Sequence, residues 1–192
     1  MTRSPRHILF ACLVVALAQS AALSWMVFDR VLLLKHGREI TLPIVPVDPR
    51  DLFRGDYARL GYDISRLPRS LLDGPAPARN APFYVTLQRG NDGVWKPLKV
   101  TRDYPADLGS DRVVLKARVH WTGGSGFERA QKEVFAHYGI ESYFVPEGTG
   151  IALEKLARER KLAAVIAVDS KGNAAIKGLS VEGALKYEEP LF

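Results

Sequence analysis

Cysteine is almost absent from this chain, and that absence limits its chemistry. The one thiol, Cys12, lies inside the longest hydrophobic run, so the rest can form neither an internal disulfide nor a cysteine-ligated metal site. The four histidines show no metal-ligand spacing, and no two stand four residues apart. The chain also lacks a phosphate-binding loop, a dinucleotide glycine pattern and the local signatures of serine catalysis. We therefore expect no metal and no cofactor.

A concentrated charge of one sign is also missing. The net charge is +6, and Arg3 and Arg6 contribute to it before the first hydrophobic run begins. The other basic residues are scattered and form no stripe interleaved with aromatic residues, so we expect no nucleic-acid partner. The composition is 47% hydrophobic and 25% charged, which is typical of a folded protein and excludes a disordered chain.

What the sequence does have is a charge-free run from Ile8 to Phe28. As a helix, these residues would extend roughly 30 Å, the thickness of the hydrocarbon core of a bilayer. Trp25 stands near the far end, where an interfacial aromatic residue is favoured. The run therefore predicts a transmembrane anchor, with the lipid bilayer as the partner of residues 8–28.

The sequence leaves two features of this anchor open. Arg3, Arg6 and the small residues around Leu17 also fit a signal peptide that is cleaved. We favour an uncleaved anchor, because apolar residues continue to Phe28, beyond the usual length of a signal peptide's hydrophobic region. Basic residues flank both ends of the run almost equally, so the orientation rests on the short leader, which favours a cytoplasmic N-terminus.

We divide the chain into a leader (1–7), an anchor (8–28), a juxtamembrane connector (29–37) and an extracytoplasmic domain (38–192).

The domain has the pattern of an α+β fold, mostly β with two helices inserted before the last hairpin. Alternating apolar residues bounded by turn formers predict strands at residues 38–47, 56–64, 83–88, 94–100, 112–122, 142–145, 162–168 and 174–181. In the first strand, Pro43 and Pro46 predict a position at the edge of a sheet.

Two helices are predicted from their caps and apolar periodicity. Ser125 and Glu128 have the spacing of a capping box, and Gly139 follows as a stop, which predicts a helix up to Tyr138. Thr149 can cap a second helix over residues 150–160. Four apolar side chains are expected to be largely buried: Leu60, Tyr62, Phe135 and Tyr143.

Two segments carry a family resemblance. Residues 55–62 read GDYARLGY, which we call the first signature, and residues 47–54 lead into it. Residues 138–150 read YGIESYFVPEGTG, which we call the second signature. In this order behind a hydrophobic helix, they resemble the GDYXXLXY family of bacterial membrane-anchored proteins. The resemblance implies a small extracytoplasmic domain, sometimes associated with multi-pass membrane proteins, at the inner membrane, and no established reaction.

The signatures also supply the candidate site. Ten charged and aromatic residues of the two signatures and of the lead-in at residues 47–54 are candidates for binding a ligand or partner: Asp48, Arg50, Asp51, Arg54, Asp56, Tyr57, Tyr62, Glu141, Tyr143 and Glu147. One interpretation is structural, with aspartates capping turns and Tyr62 hydrogen-bonded in the core. The other is a recognition site in which an arginine grips a carboxylate or phosphate. We expect residues 48–62, which include the first signature, to meet residues 141–154, which include most of the second, with Arg50 or Arg54 reaching Glu141 or Glu147.

Two functions remain open at this stage. The absence of a recognisable catalytic set favours a non-enzymatic accessory or binding module that works with another membrane protein. The alternative is a hydrolase of unrecognised type that uses the carboxylates of the two signatures.

Overall fold

A long N-terminal helix leads into a β-rich domain. The computed structural model describes residues 5–46, 57–75, 77–78, 80–106, 108–119, 133–145 and 149–188, and the structural statements below concern these residues. Helix α1 runs without interruption over Pro5–His36, which is 32 residues. Within it, Leu9–His36 is long and apolar enough to cross a membrane, and none of its most apolar part is buried against the protein.

The domain is built from short antiparallel strands. In chain order they are β1 (Arg38–Val45), β2 (Tyr57–Arg59), β3 (Gly61–Tyr62), β4 (Arg66–Pro68), β5 (Pro82–Arg89), β6 (Trp95–Thr101), β7 (Arg112–Val119), β8 (Glu133–His137), β9 (Ser142–Phe144), β10 (Leu162–Val168), β11 (Ala174–Val181) and β12 (Ala184–Glu188). Short 3₁₀ turns cover Asp63–Ser65 and Arg69–Leu71, and helix α2 covers Gly150–Arg158. The predicted α+β class is confirmed.

The described strands form two five-stranded sheets and one two-stranded ribbon. The first sheet has the order β12-β11-β10-β1-β3, and the second has the order β4-β8-β7-β5-β6. The ribbon pairs β2 with β9. The predicted hairpins β5–β6 and β10–β11 are both present. In the second of them, Asp169 Oδ1 accepts hydrogen bonds from the backbone N–H groups of Lys171 and Asn173, each at 2.8 Å, so the aspartate side chain closes the turn.

The buried faces of the two sheets share one hydrophobic core. Strand β1 alternates strictly, with Ile40, Leu42 and Ile44 buried between exposed neighbours. Strand β5 contributes Phe83, Val85 and Leu87 to the same cluster. Period-two alternation places every second side chain on one face, which is why these strands can bury one side and solvate the other.

A second, smaller cluster joins α1 to the domain. Leu33 and Leu34 pack on Ala167 and Ala175, which lie on β10 and β11. Gly37 ends the helix, and its N–H donates to the Leu33 carbonyl at 2.8 Å. A Cβ at position 37 would lie 2.5 Å from the Leu33 oxygen and 3.0 Å from the Ala167 Cβ. Glycine therefore permits the close approach that holds the helix on the sheet.

Three local predictions are wrong. Residues 133–137, assigned to the end of a helix, form strand β8, while residues 125–132 of that helix lie outside the described residues. Phe135 is accordingly half-exposed, because Val134 and Ala136 take the inward positions of the strand. Strand β1 is not an edge strand: it pairs with β10 over residues 38–43 and with β3 at residues 44–45.

Candidate functional site

The two signatures meet in space, as predicted. Strands β2 and β9 pair antiparallel, with Tyr57 opposite Phe144 and Arg59 opposite Ser142. The contact continues one residue further, where the Leu60 N–H donates to the Glu141 carbonyl at 2.9 Å. The first signature and the turn after it then reach both sheets, since β3 pairs with β1 and β4 pairs with β8. The signatures thus form the junction at which the ribbon and the two sheets are joined.

Two buried tyrosines tie this junction together by reciprocal hydrogen bonds. Tyr62 of the first signature donates from its hydroxyl to the Ile140 carbonyl at 2.8 Å. Tyr138 of the second signature donates to the Ile64 carbonyl at 2.6 Å. Both rings are almost fully buried, and buried tyrosine hydroxyls are expected to find such partners. Each signature therefore satisfies a backbone carbonyl of the other segment.

Glu141 closes the turn between β8 and β9 with its side chain. Its carboxylate accepts hydrogen bonds from the backbone N–H of Tyr138 at 2.6 Å and from that of Gly139 at 2.9 Å. The His137 Nε2 lies 3.2 Å from the same carboxylate. Gly139 has a φ of +82°, a conformation that favours glycine at this turn. The carboxylate is thus engaged by the backbone of its own turn.

Burial changes the acidity of the two tyrosines. Desolvation raises the pKa of Tyr62 and of Tyr138 well above the usual value for tyrosine, and the nearby negative charge of Glu141 raises both further. Neither hydroxyl is therefore poised to act as a base near neutral pH. Both are held in the protonated form, which is the form that donates to the Ile140 and Ile64 carbonyls.

The predicted site residues fall into three groups. Six lie outside the described residues: Asp48, Arg50, Asp51, Arg54, Asp56 and Glu147. Tyr57 is described only through its backbone in β2. Tyr62, Tyr143 and Glu141 are described; the first two are buried, and Glu141 keeps 17% of its side chain exposed. The predicted contact between an arginine of residues 47–56 and Glu141 or Glu147 stays a prediction.

Sequence reasoning missed the second tyrosine of the junction. The sequence predicts Tyr138 at the end of a helix and indicates no partner for its hydroxyl. The Tyr138-Gly139 pair at the start of the second signature is a local signal for a turn, but it does not identify a hydrogen-bond partner 74 residues away. Among the described residues, no group of three histidine, cysteine or acidic side chains could hold a metal ion.

A separate cavity of about 580 Å³ lies where α1 joins the domain. The end of the helix forms one wall, and the loop before β7 and the turn after β10 form the others. Its polar lining includes Asp29, His36, Arg38, Arg112 and Asp169. Leu32, Leu33, Leu108 and Val113 supply apolar lining. No local sequence pattern indicates this cavity, because its walls come from three distant segments.

Comparison with known proteins gives a family assignment. No curated protein and no solved structure matches the chain. A family model described as GDYXXLXY protein matches residues 19–179, which include both signatures and most of the chain. The protein belongs to the GDYXXLXY family.

Proposed function

We propose that the protein is a membrane-anchored, extracytoplasmic accessory or binding module that works with another membrane protein. The observation that carries this proposal is the packing of the domain against the end of its apolar helix. Helix α1 continues past the predicted anchor, residues 8–28, and Leu33 and Leu34 pack on β10 and β11. Arg30 adds a hydrogen bond to the Ala174 carbonyl at 3.3 Å. Such an attachment holds one face of the domain close to the bilayer, where a neighbouring membrane protein would meet it.

The chemistry of the described signature residues supports a binding role over hydrolysis. A hydrolase that uses carboxylates needs a carboxylate that is free to act on water or on the substrate. Tyr62 and Tyr138 instead donate to backbone carbonyls, and Glu141 accepts from backbone N–H groups. In the part of the chain that the structure describes, these polar groups stabilise the junction of the sheets.

Phe144 offers a surface for a protein partner. Its side chain stands on the β2–β9 ribbon and is 77% exposed, the largest exposed fraction of any large apolar residue in the described domain beyond α1. Both neighbours, Tyr143 and Val145, are buried, so the ring projects from a strand that is anchored in the core. Aromatic residues are enriched at protein interfaces. We assign the contact with the partner to this ribbon.

Photo-crosslinking from position 144 tests this assignment. With benzoylphenylalanine in place of Phe144, we expect irradiation of intact membranes to give a discrete adduct of higher mass. Leu98, 40% exposed on β6 in the second sheet, is the matched control position and should give no such adduct. Equal labelling from both positions, or none from position 144, would contradict a partner surface on the ribbon.

Membrane topology gives an independent prediction. Alkaline phosphatase fused after Phe192 should be active, because the enzyme requires an oxidising compartment. The mature protein should also retain residues 1–28 and fractionate with the inner membrane. A soluble product that begins near Gln19 would replace the anchor by a cleaved signal peptide. An inactive reporter on a stable fusion would reverse the proposed orientation.

A further inference from the structure

The hydrophobic run of α1 contains one side chain whose hydrogen bonds a bilayer cannot satisfy. Gln19 is the only carboxamide between Ile8 and Phe28, and it lies close to the middle of that run. Its side chain is exposed, and the described domain buries none of the most apolar part of the helix. A carboxamide both donates and accepts hydrogen bonds, and lipid tails can do neither. Gln19 therefore needs a partner that the bilayer does not supply.

The other polar side chains of the run have partners within reach. A serine hydroxyl on a helix, as at Ser20 and Ser24, can donate to the backbone carbonyl four residues before it. Trp25 stands near the end of the run, where the indole N–H reaches the head groups. Gln19 lies about 13 Å or more from either end of the run, which is too far for its side chain to reach water.

The domain is attached on the side of α1 that carries Gln19. Arg30, which donates to the Ala174 carbonyl, follows Gln19 by eleven residues, or three helical turns and about 20°. Leu33 lies about 40° to one side of the Gln19 direction and Leu34 about 60° to the other, and both pack on the domain. Helix α1 is continuous over this length, so the two directions can be compared. The domain therefore lies above the part of the membrane that Gln19 faces.

This arrangement disfavours a second copy of the chain on the Gln19 side. In a parallel pair that met at Gln19, the side of α1 that holds the domain would face the partner helix. Arg30, Leu33 and Leu34 on that side already contact β10 or β11 of their own chain. Helices that cross at about 20–40° separate by only about 6–11 Å over the roughly 16 Å from Gln19 to Arg30. That space is too small for two domains, each with two sheets.

We propose that the Gln19 side of α1 binds a transmembrane helix of a different membrane protein. This step rests on the proposed function, in which residues 8–28 cross the bilayer and the protein has a membrane partner. The partner helix carries a hydrogen-bonding side chain at mid-membrane depth and ends near the bilayer surface, below the domain. Ala16 lies one turn before Gln19 on the same side, so a helix can approach the amide closely. Leu17 and Phe28 lie on the opposite side, which is left to the lipid.

Photo-crosslinking within the membrane tests the assigned side. Leu23 lies one turn after Gln19 on the same side of the helix, whereas Leu17 lies on the opposite side. The two leucines are 64% and 62% exposed in the isolated chain, so they are a matched pair. With benzoylphenylalanine at position 23, we expect irradiation of intact membranes to give an adduct with another membrane protein. The same probe at position 17 should give none, and equal adducts from both positions, or none from position 23, would overturn the proposal.

Substitution of Gln19 tests whether the amide itself makes the contact. Gln19→Met keeps the size of the side chain, and we expect the adduct from position 23 to fall about fivefold or more, because an interhelical hydrogen bond is lost. Ser24→Ala is the control, since it removes a polar group about 140° away around the helix and should leave the yield unchanged. Extraction of the membranes at alkaline pH verifies that both variants remain inserted. An unchanged yield in Gln19→Met, or an equal fall in Ser24→Ala, would overturn the role of the amide.

The native cysteine distinguishes a different protein from a second copy. Cys12 precedes Gln19 by seven residues, so the two lie on the same side of the helix. A second copy packed on that side would bring two Cys12 thiols together. Oxidation of the membranes with copper phenanthroline should therefore give no disulfide-linked dimer, and the appearance of one would overturn the proposal.

The probe on the ribbon separates this proposal from the proposed function. If position 23 gives no adduct while position 144 does, the intramembrane contact is refuted and the partner of the domain stands. If neither position gives an adduct, the proposed function fails as well.

Discussion

Replacing Leu60 by alanine is expected to lower the free energy of unfolding by about 2–5 kcal/mol. Leu60 is the leucine of the first signature, and only 4% of it is exposed. It belongs to the core shared by the two sheets, and its N–H holds the Glu141 carbonyl. Alanine would keep that backbone bond but leave a cavity where the ribbon and the sheets meet. Denaturant unfolding of the full chain in detergent measures the loss through the transition midpoint at unchanged slope.

Leu98→Ala is the matched control for this experiment. Leu98 is 40% exposed on β6, so its truncation should change the free energy of unfolding by no more than about 0.5 kcal/mol. A comparable small change for Leu60→Ala would mean that the inward face of the first signature is assigned wrongly. A large loss in both would indicate that the transition does not report on local packing.

Strand alternation made much of this core predictable. In residues 56–64, the sequence placed Leu60, Tyr62 and Ile64 on one face, and all three are buried. Arg59 and Asp63 were placed on the other face and are exposed. The segment is nevertheless broken into β2, β3 and a 3₁₀ turn, each associated with a different neighbour. Alternation therefore gave the faces correctly, while the breaks depend on partners that are distant in sequence.

The wrong prediction of a helix at β8 also arises because pairing with strands distant in sequence decides the structure there. Val134, Phe135 and Tyr138 fit a helical period, and the capping-box spacing at Ser125 strengthened that interpretation. A short apolar run fits either period, so tertiary pairing decides. Val134 lies opposite Leu67 on β4, and Ala136 lies opposite Val119 on β7. These two ladders, together with burial of Val134 and Ala136, favour the strand.

The sequence predicts where the candidate site lies, but it does not predict the hydrogen-bond partners of the polar groups in it. The lead-in to the first signature carries Arg50 and Arg54, whereas the second signature carries acidic residues and no basic one, which predicts that the two segments meet, and β2 does pair with β9. The partners of the polar groups could not be foreseen, because Tyr62 and Tyr138 select backbone carbonyls that any residue would present. Likewise, the cavity depends on the angle at which α1 packs on β10, which no local pattern encodes.

Alkaline pH is expected to destabilise the domain through these same two tyrosines. Burial raises the pKa of Tyr62 and Tyr138 in the folded state, while in the unfolded chain each should titrate near its usual value of about 10. The folded state therefore holds both protons more tightly than the unfolded state does. This contribution to stability is fully present below about pH 10 and is lost as the pH rises above it. Each group contributes a slope of about 1.4 kcal/mol per pH unit, or about 2.7 for the pair.

Phenylalanine variants separate this titration from simple packing. Tyr62→Phe and Tyr138→Phe keep the rings but leave a buried carbonyl without its donor, which should cost about 1–3 kcal/mol each at neutral pH. Each variant should also reduce the alkaline slope by about half, and the double variant should remove most of it. Tyr187→Phe is the control, because Tyr187 is only partly buried, on the edge strand β12.

Unfolding curves between pH 8 and pH 12 would test whether the hydroxyls of Tyr62 and Tyr138 cause the loss of stability at alkaline pH. The unmodified protein should lose stability steadily above about pH 10, whereas the double variant should start lower and stay nearly level. Exposed lysine pairs such as Lys177–Glu39 also weaken in this range, but they remain in every variant and cancel in the comparison. If the double variant keeps the full alkaline slope, the two hydroxyls are not the protons that link stability to pH. What the reciprocal bonds add to the β2–β9 pairing and to the packing around Leu60 would then be measured by the loss of stability at neutral pH alone.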